Sequence, residues 1–260
     1  KNWENLKATG QHIKYKHQLG QPTVRSVVHN RSNGIKAGTY IIETGEQLVK
    51  LVYDANTAGN YYVIAADIKL NDTSSENWTA TAKQWFGYDS AAEGIGKFAG
   101  VLDGEFNTIS GLYYTGVNYY VGLFGAVGGT GTTINRVIID NSYLETEDNA
   151  AAFTGYVNGA ITYNDCTVGK NVTIKGSHAS GYGSWNSGNV TVNNSMALAD
   201  VQGSSYGGAF FADIWSSTLK ISNSIGIGTF SPRRSYTGSN NYGTAADNYG
   251  VNEVEESAMQ

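Results

Sequence analysis

The sequence predicts an all-β protein, a right-handed parallel β-helix whose coils are about 29 residues long. Two observations predict it. Ile134, Tyr163, Val192 and Ile221 follow one another at one constant step, and Thr132, Ile161, Val190 and Leu219 keep the same step just upstream. A period of this size marks a solenoid, propeller or array. The repeated segments are also short alternating β-branched runs, such as Val190-Thr191-Val192 and Leu219-Lys220-Ile221, set between Gly/Asn/Ser turns. Helical periodicity is absent from them. Such units stack as coils about 4.8 Å apart, and right-handed winding follows the general preference of parallel crossovers.

Residues 1–38 form a basic lead-in segment or linker. Residues 1–36 carry seven Lys/Arg against one acid, Glu4. Tyr40-Ile41-Ile42 reads as a strand. Thr44-Gly45-Glu46-Gln47 then matches a capping box, and Leu48, Val49, Leu51 and Val52 follow at helical spacing. A helix over 44–54 is expected, placed to plug the open end of the solenoid. Residues 61–70 read as a strand pair, and 71–97 as a polar insertion with aromatics. Some five or six coils are expected in all, ending near Phe230. Residues 231–250 read as a loop with two Asn-Tyr-Gly sequences, closing a single β-helix domain over 39–250. Residues 251–260 form an acidic tail.

Four columns follow from the period. Phe124, Phe153, Tyr182 and Phe211 are expected to stack inside the coil. Val137, Cys166, Ser195 and Ser224 form a small-residue column that buries the single cysteine, unpaired. Asn135, Asn164, Asn193 and Ser222 read as an amide ladder running from coil to coil. Arg136, Asp165, Asn194 and Asn223 form a polar column, in which Arg136 and Asp165 are expected to make a cross-coil ion pair.

Composition narrows the function. The net charge of −5 argues against nucleic acid as a partner. No run of the sequence suits membrane insertion, and no signal peptide is visible. The first residue is Lys, which suggests a module excised from a larger secreted multidomain protein. A monomer is expected. Gly203-Ser204-Ser205-Tyr206-Gly207 matches a nucleophile-elbow pattern, but no helix is expected after it. The four histidines lack metal-ligand spacing. Asp140, Glu145, Glu147 and Asp148 share a loop that at most suits calcium; a solvated acidic turn is the plainer account. No catalytic constellation, metal site or cofactor is expected.

The segment from Ile42 to Gly128 resembles the opening of GLUG-type β-helix modules. The resemblance runs through the helix, Tyr62-Val63-Ile64-Ala65-Ala66-Asp67-Ile68-Lys69-Leu70, Trp85, Phe98-Ala99-Gly100-Val101-Leu102-Asp103-Gly104, Ile109-Ser110-Gly111-Leu112-Tyr113 and Gly122-Leu123-Phe124-Gly125. It is similar to modules beside dockerins in secreted, cellulosome-type proteins of gut and rumen bacteria that degrade plant cell walls. The resemblance implies a β-helix, an extracellular or surface-attached bacterial location, and a packing role for Trp85.

The chain also has 18 tyrosines and five tryptophans. If Phe153 points inward on a straight strand, Tyr156 points outward. A second column, Val127, Tyr156, Trp185 and Ile214, with Trp215 beside it, then offers aromatic faces to sugar rings. The expected function is a non-catalytic carbohydrate-binding module for plant cell-wall polysaccharide, a β-glucan such as xyloglucan. Its candidate contacts are Tyr156, Trp185, Trp215 and Trp78, the last in the insertion. Two alternatives stand beside it: an adhesion or spacer module, and a β-helix polysaccharide lyase or hydrolase.

Overall fold

The computed structural model describes residues 39–53, 57–88, 97–214, 218–227, 230–233, 242–243 and 252–253. The lead-in segment, Trp215, Asn241 and the second Asn-Tyr-Gly sequence lie outside these residues, whereas Tyr242–Gly243 of the first forms a short strand of the second sheet. The chain winds as a parallel β-solenoid of about four regular turns, fewer than the five or six coils expected, with incomplete layers at the N-terminal end. Three sheets run along the axis. The first is built from Thr39–Ile42, Tyr61–Ile64, Val101–Asp103, Phe124–Asn135 and Thr154–Asn164, then from pairs of shorter strands ending at Phe211–Ile214 and Leu219–Ser222. The second runs from Ile68–Lys69 through Ile138–Asp140 to Ile225–Gly226 and takes up Asn252–Glu253 of the acidic tail. The third contains Tyr113–Gly116, Tyr120–Val121, Ser142–Thr146, Asn149–Ala151, Val172–Ser180 and Asp200–Gly208.

The expected register is realised in the first sheet. Tyr163 lies opposite Ile134 on one side and Val192 on the other, and Val192 lies opposite Ile221. All four are buried, and each fully buried side chain of this size contributes roughly 1.5–3 kcal/mol. Phe124, Phe153, Tyr182 and Phe211 are buried as expected. They do not form the single stack expected, because the register slips here: Phe124 lies opposite Thr154 and Phe211 opposite Gly183. The ring contacts run instead from Phe98 to Phe124 at 4.3 Å, and from Phe153 through Tyr182 to Phe210 at 5.0 Å each.

The helix, Gly45–Tyr53, here α1, has the expected capping box. Gln47 Oε1 accepts from the Thr44 amide at 3.1 Å, and the Gln47 amide donates to Thr44 Oγ1 at 3.3 Å. Leu48, Val49, Leu51, Val52 and Tyr53 all enter the core cluster. The insertion seals a different edge. Gln84 brackets the backbone of Thr115 on the first strand of the third sheet, and Gly87–Tyr88 adds an antiparallel strand beside Tyr120–Val121. Trp85 is buried there, its indole N–H donating to the Gly122 carbonyl at 3.1 Å.

The amide ladder is present. Asn164 donates to Asn135 at 2.8 Å, Asn193 to Asn164 at 2.9 Å, and Ser222 to Asn193 at 2.7 Å. The next column corrects an expectation. Arg136 does not reach forward to Asp165; it forms a forked ion pair with Asp103 on the preceding coil. The column exists for backbone reasons. Arg136, Asp165, Asn194 and Asn223 have φ of 53, 55, 51 and 51°, one left-handed residue per coil at the same corner. Asn and Asp tolerate that conformation better than other residues with a Cβ. Gly104 is fixed by closeness, because a Cβ there would sit 2.4 Å from the Arg136 carbonyl.

Cys166 is fully buried and free, and burial pushes its thiol up to about 12. Native protein is expected to resist a thiol reagent for hours and to react within minutes once unfolded. Fast native labelling would show that this column is not interior. Burial also raises the phenols of Tyr163 and Tyr182, and burial with the Asp103 hydrogen bond takes Tyr61 up to about 12. All four groups hold protons in the folded state that the unfolded chain releases at lower pH. Their contribution is therefore complete at neutral pH and declines as pH rises from about 9, the ordinary range for a thiol, toward about 12. The melting temperature is expected to hold to about pH 8.5 and then fall steadily. A constant value to about pH 11 would contradict this.

Candidate functional site

Side chains alternate faces along a strand, so each buried column has an outward one beside it. On the third sheet, Val121, Ala150 and Ala179 point inward and are fully buried. The residues just before them, Tyr120, Asn149 and His178, pair across successive coils and are followed by Tyr206. On the first sheet, Val157 and Asn186 are buried, and the residues before them, Tyr156 and Trp185, are partly exposed and paired directly. The chain passes from one sheet to the other within a few residues. The two columns therefore meet across a corner that is closed over Tyr120 and Asn149, both buried, and partly open at Tyr156, Trp185, His178 and Tyr206.

Ring contacts bridge that corner. Tyr120 stacks on Tyr156 at 4.8 Å and 17°, with the Lys97 ammonium 5.8 Å from the Tyr156 centroid. One coil on, His178 meets Trp185 edge to face at 5.4 Å and Tyr206 at 5.0 Å. His178 Nε2 lies 3.6 Å from the Asp213 carboxylate, which is almost fully buried. The Ser187 hydroxyl donates to the Tyr156 phenol at 3.2 Å. Asn149 lies between Tyr120 and His178 in the column, nearly fully buried, and neither of its amide atoms has a hydrogen-bond partner in the protein.

Tyr156 and Trp185 are thus neighbours on adjacent coils. Val127 and Ile214 do not share their column. The partners are Ala126 before Tyr156 and Asp213 after Trp185, so the first step is a residue longer than the period and the last a residue shorter. The extra residue is absorbed within the strand itself: the register between Phe124–Asn135 and Thr154–Asn164 shifts between Gly159 and Ile161 and returns to the common period in the amide ladder. Trp78 lies elsewhere, at the start of a short 3-10 helix, with its ring 5.8 Å from Tyr113 at the other end of the third sheet. Tyr113 in turn lies opposite Tyr143, with centroids 6.1 Å apart. Sequence reasoning passed over these two tyrosines because their spacing is a residue off the period.

The acids considered for calcium are held apart. Asp140 accepts from Asn171 on the next coil, and Glu145 accepts from the Tyr143 phenol and lies 4.0 Å from Lys175. Ser205 of the elbow-like pattern sits inside the Asp200–Gly208 strand and accepts from Ser177 at 3.0 Å.

No family model matches the chain. In sequence it is similar to Halomucin of Haloquadratum walsbyi, 27% identical over 191 residues, a match that covers 72% of this chain and 2% of that much longer protein. In structure it is similar to a solved chain from Bacteroides ovatus described as a "putative immunoglobulin A1 protease", with a TM-score of 0.50, 14% identity, and coverage of 86% of this chain and 80% of that one. At that identity the likeness is one of fold, and the fold it supports is the β-solenoid.

Proposed function

We propose that this chain is a non-catalytic carbohydrate-binding module of a secreted or cell-surface protein. The observation that carries the reading is the pairing of Tyr156 and Trp185 on adjacent coils, both outward and partly exposed, in a corner shared with Tyr120, His178 and Tyr206. Aromatic faces a coil apart suit the apolar faces of sugar rings, and the exposed Ser187 hydroxyl with the Tyr156 phenol suits their hydroxyls. The ligand class is a neutral plant cell-wall polysaccharide, with β-glucans such as xyloglucan first, in keeping with the GLUG-type resemblance.

The adhesion or spacer alternative draws on one observation: the Halomucin match falls on a small part of a very long chain. Both alternatives are separated from the proposal by affinity gel electrophoresis against soluble xyloglucan, mixed-linkage glucan, mannan and pectin, with reducing ends measured in parallel. Retardation by a neutral glucan without new reducing ends is expected. No retardation by any polymer would favour a spacer, and release of reducing ends an enzyme.

A further inference from the structure

We infer that the ligand path extends along the outer face of the third sheet, from the Tyr156–Trp185 corner to Trp78, Tyr113 and Tyr143, and takes a linear neutral glycan. The inference rests on the function proposed above and adds where the chain lies, how long it must be and what charge it carries. Three features place it. The first is the second aromatic group: Trp78, Tyr113 and Tyr143 make a partly exposed train of rings on the outer face. The second is the ground between the groups, a shallow depression of about 380 Å³ whose lining includes Glu145, Glu147, Lys175, Ser177, Gln202 and Ser204. The third is continuity. The Lys175 ammonium lies 5.2 Å from the Tyr143 ring centroid at one end of the depression, and His178, further along the same strand, meets Trp185 at the other.

Spacing sets the ligand length. On the continuous strand Val172–Ser180, Thr173 lies opposite Tyr143 and His178 opposite Asn149, five residues apart. At about 3.3 Å per residue the path between the aromatic ends is about 16 Å, roughly three to four pyranose rings, with a further ring stacked at either end. Rings would stack at the two aromatic ends, and Gln202, Ser177, Ser204 and the Glu145–Lys175 pair would meet hydroxyls between them. Charge selects the polymer. Two carboxylates against one ammonium line the depression, which disfavours a uronate chain and admits a neutral one.

The test is a calorimetric titration of the wild-type protein and Tyr143→Ala with β-1,4-linked glucose oligomers of increasing length and with the polysaccharide found in the electrophoresis panel. Wild-type affinity is expected to rise up to about four to six rings and then level off. Tyr143→Ala is expected to bind the shortest oligomers as wild type does and to lose about five-fold or more for the long ones. Tyr143→Phe keeps the ring and should retain most of the affinity, with melting temperatures showing that both variants fold. Unchanged long-chain binding in Tyr143→Ala would confine the ligand to the Trp185 corner and overturn the extended path. Equal losses at every length would overturn it as well. No binding by wild type to any probe would instead refute the proposed function itself.

Discussion

Phe153→Ala is expected to destabilise the protein by about 3–5 kcal/mol, the largest stability loss foreseen for any single residue here. Phe153 is fully buried, and its ring lies 5.6 Å from Tyr163 and 5.0 Å from Tyr182. The loss has two parts: the transfer energy of the removed ring and the cavity left between groups that cannot close on it. Thr154 and Tyr163 are tied by a 2.9 Å hydrogen bond, and Tyr182 donates to the Cys166 and Met196 carbonyls at 2.8 and 2.9 Å. In a solenoid each coil is stabilised mainly by its neighbours, so a gap in one layer weakens two interfaces. Denaturant unfolding measures the effect, and Phe153→Leu should recover more than half of it. A loss under about 1 kcal/mol would mean that the ring is not part of a close-packed stack.

The interior was legible in the sequence because its constraint is strict. Parallel strands in register must repeat the same residue class at the same step, so the columns through Ile134, Asn135 and Val137 kept one period over successive coils. Elsewhere coils gain or lose a residue, and both faces of a strand then leave the period together. Tyr113 pairs with Tyr143 as buried Tyr114 pairs with buried Leu144, and Trp185 pairs with Asp213 as Gly183 pairs with buried Phe211, so a constant step hid these pairings. Arg136 misled for a related reason. Its number in the repeat fixes its corner, whereas its long side chain chooses between the coil before and the coil after. It takes Asp103, whose carboxylate lies on the coil before and is almost fully buried. The helix was readable locally, since Thr44 and Gln47 satisfy its first amides without help from the rest of the fold. Trp85 and Trp78 lie in one insertion yet have opposite fates, one buried and one partly exposed; the GLUG-type resemblance implied the packing role of Trp85, and its place against the edge of the third sheet accounts for it.

Trp185→Ala should weaken polysaccharide binding by about ten-fold or more, because a stacked aromatic is worth on the order of 1–3 kcal/mol and a factor of ten is about 1.4 kcal/mol. Its melting temperature should fall much less than that of Phe153→Ala. Trp185 stands on the outer face, while the neighbouring positions that pack inside, Ser184 and Asn186, are buried by the coil itself. Tyr156→Ala should follow with a smaller loss, since Tyr120 lies parallel to it and leaves part of the platform in place. Lost stability with intact binding would assign both side chains to structural packing and direct attention to Trp78 and its tyrosine neighbours.

A crystal structure with a bound xyloglucan or cello-oligosaccharide tests the central claim most directly. A pyranose ring is expected parallel to the Trp185 indole, with the next ring toward Tyr156 or along the third sheet toward Tyr143. Ordered sugar on any other face of the solenoid, or none there at saturating ligand, would contradict it.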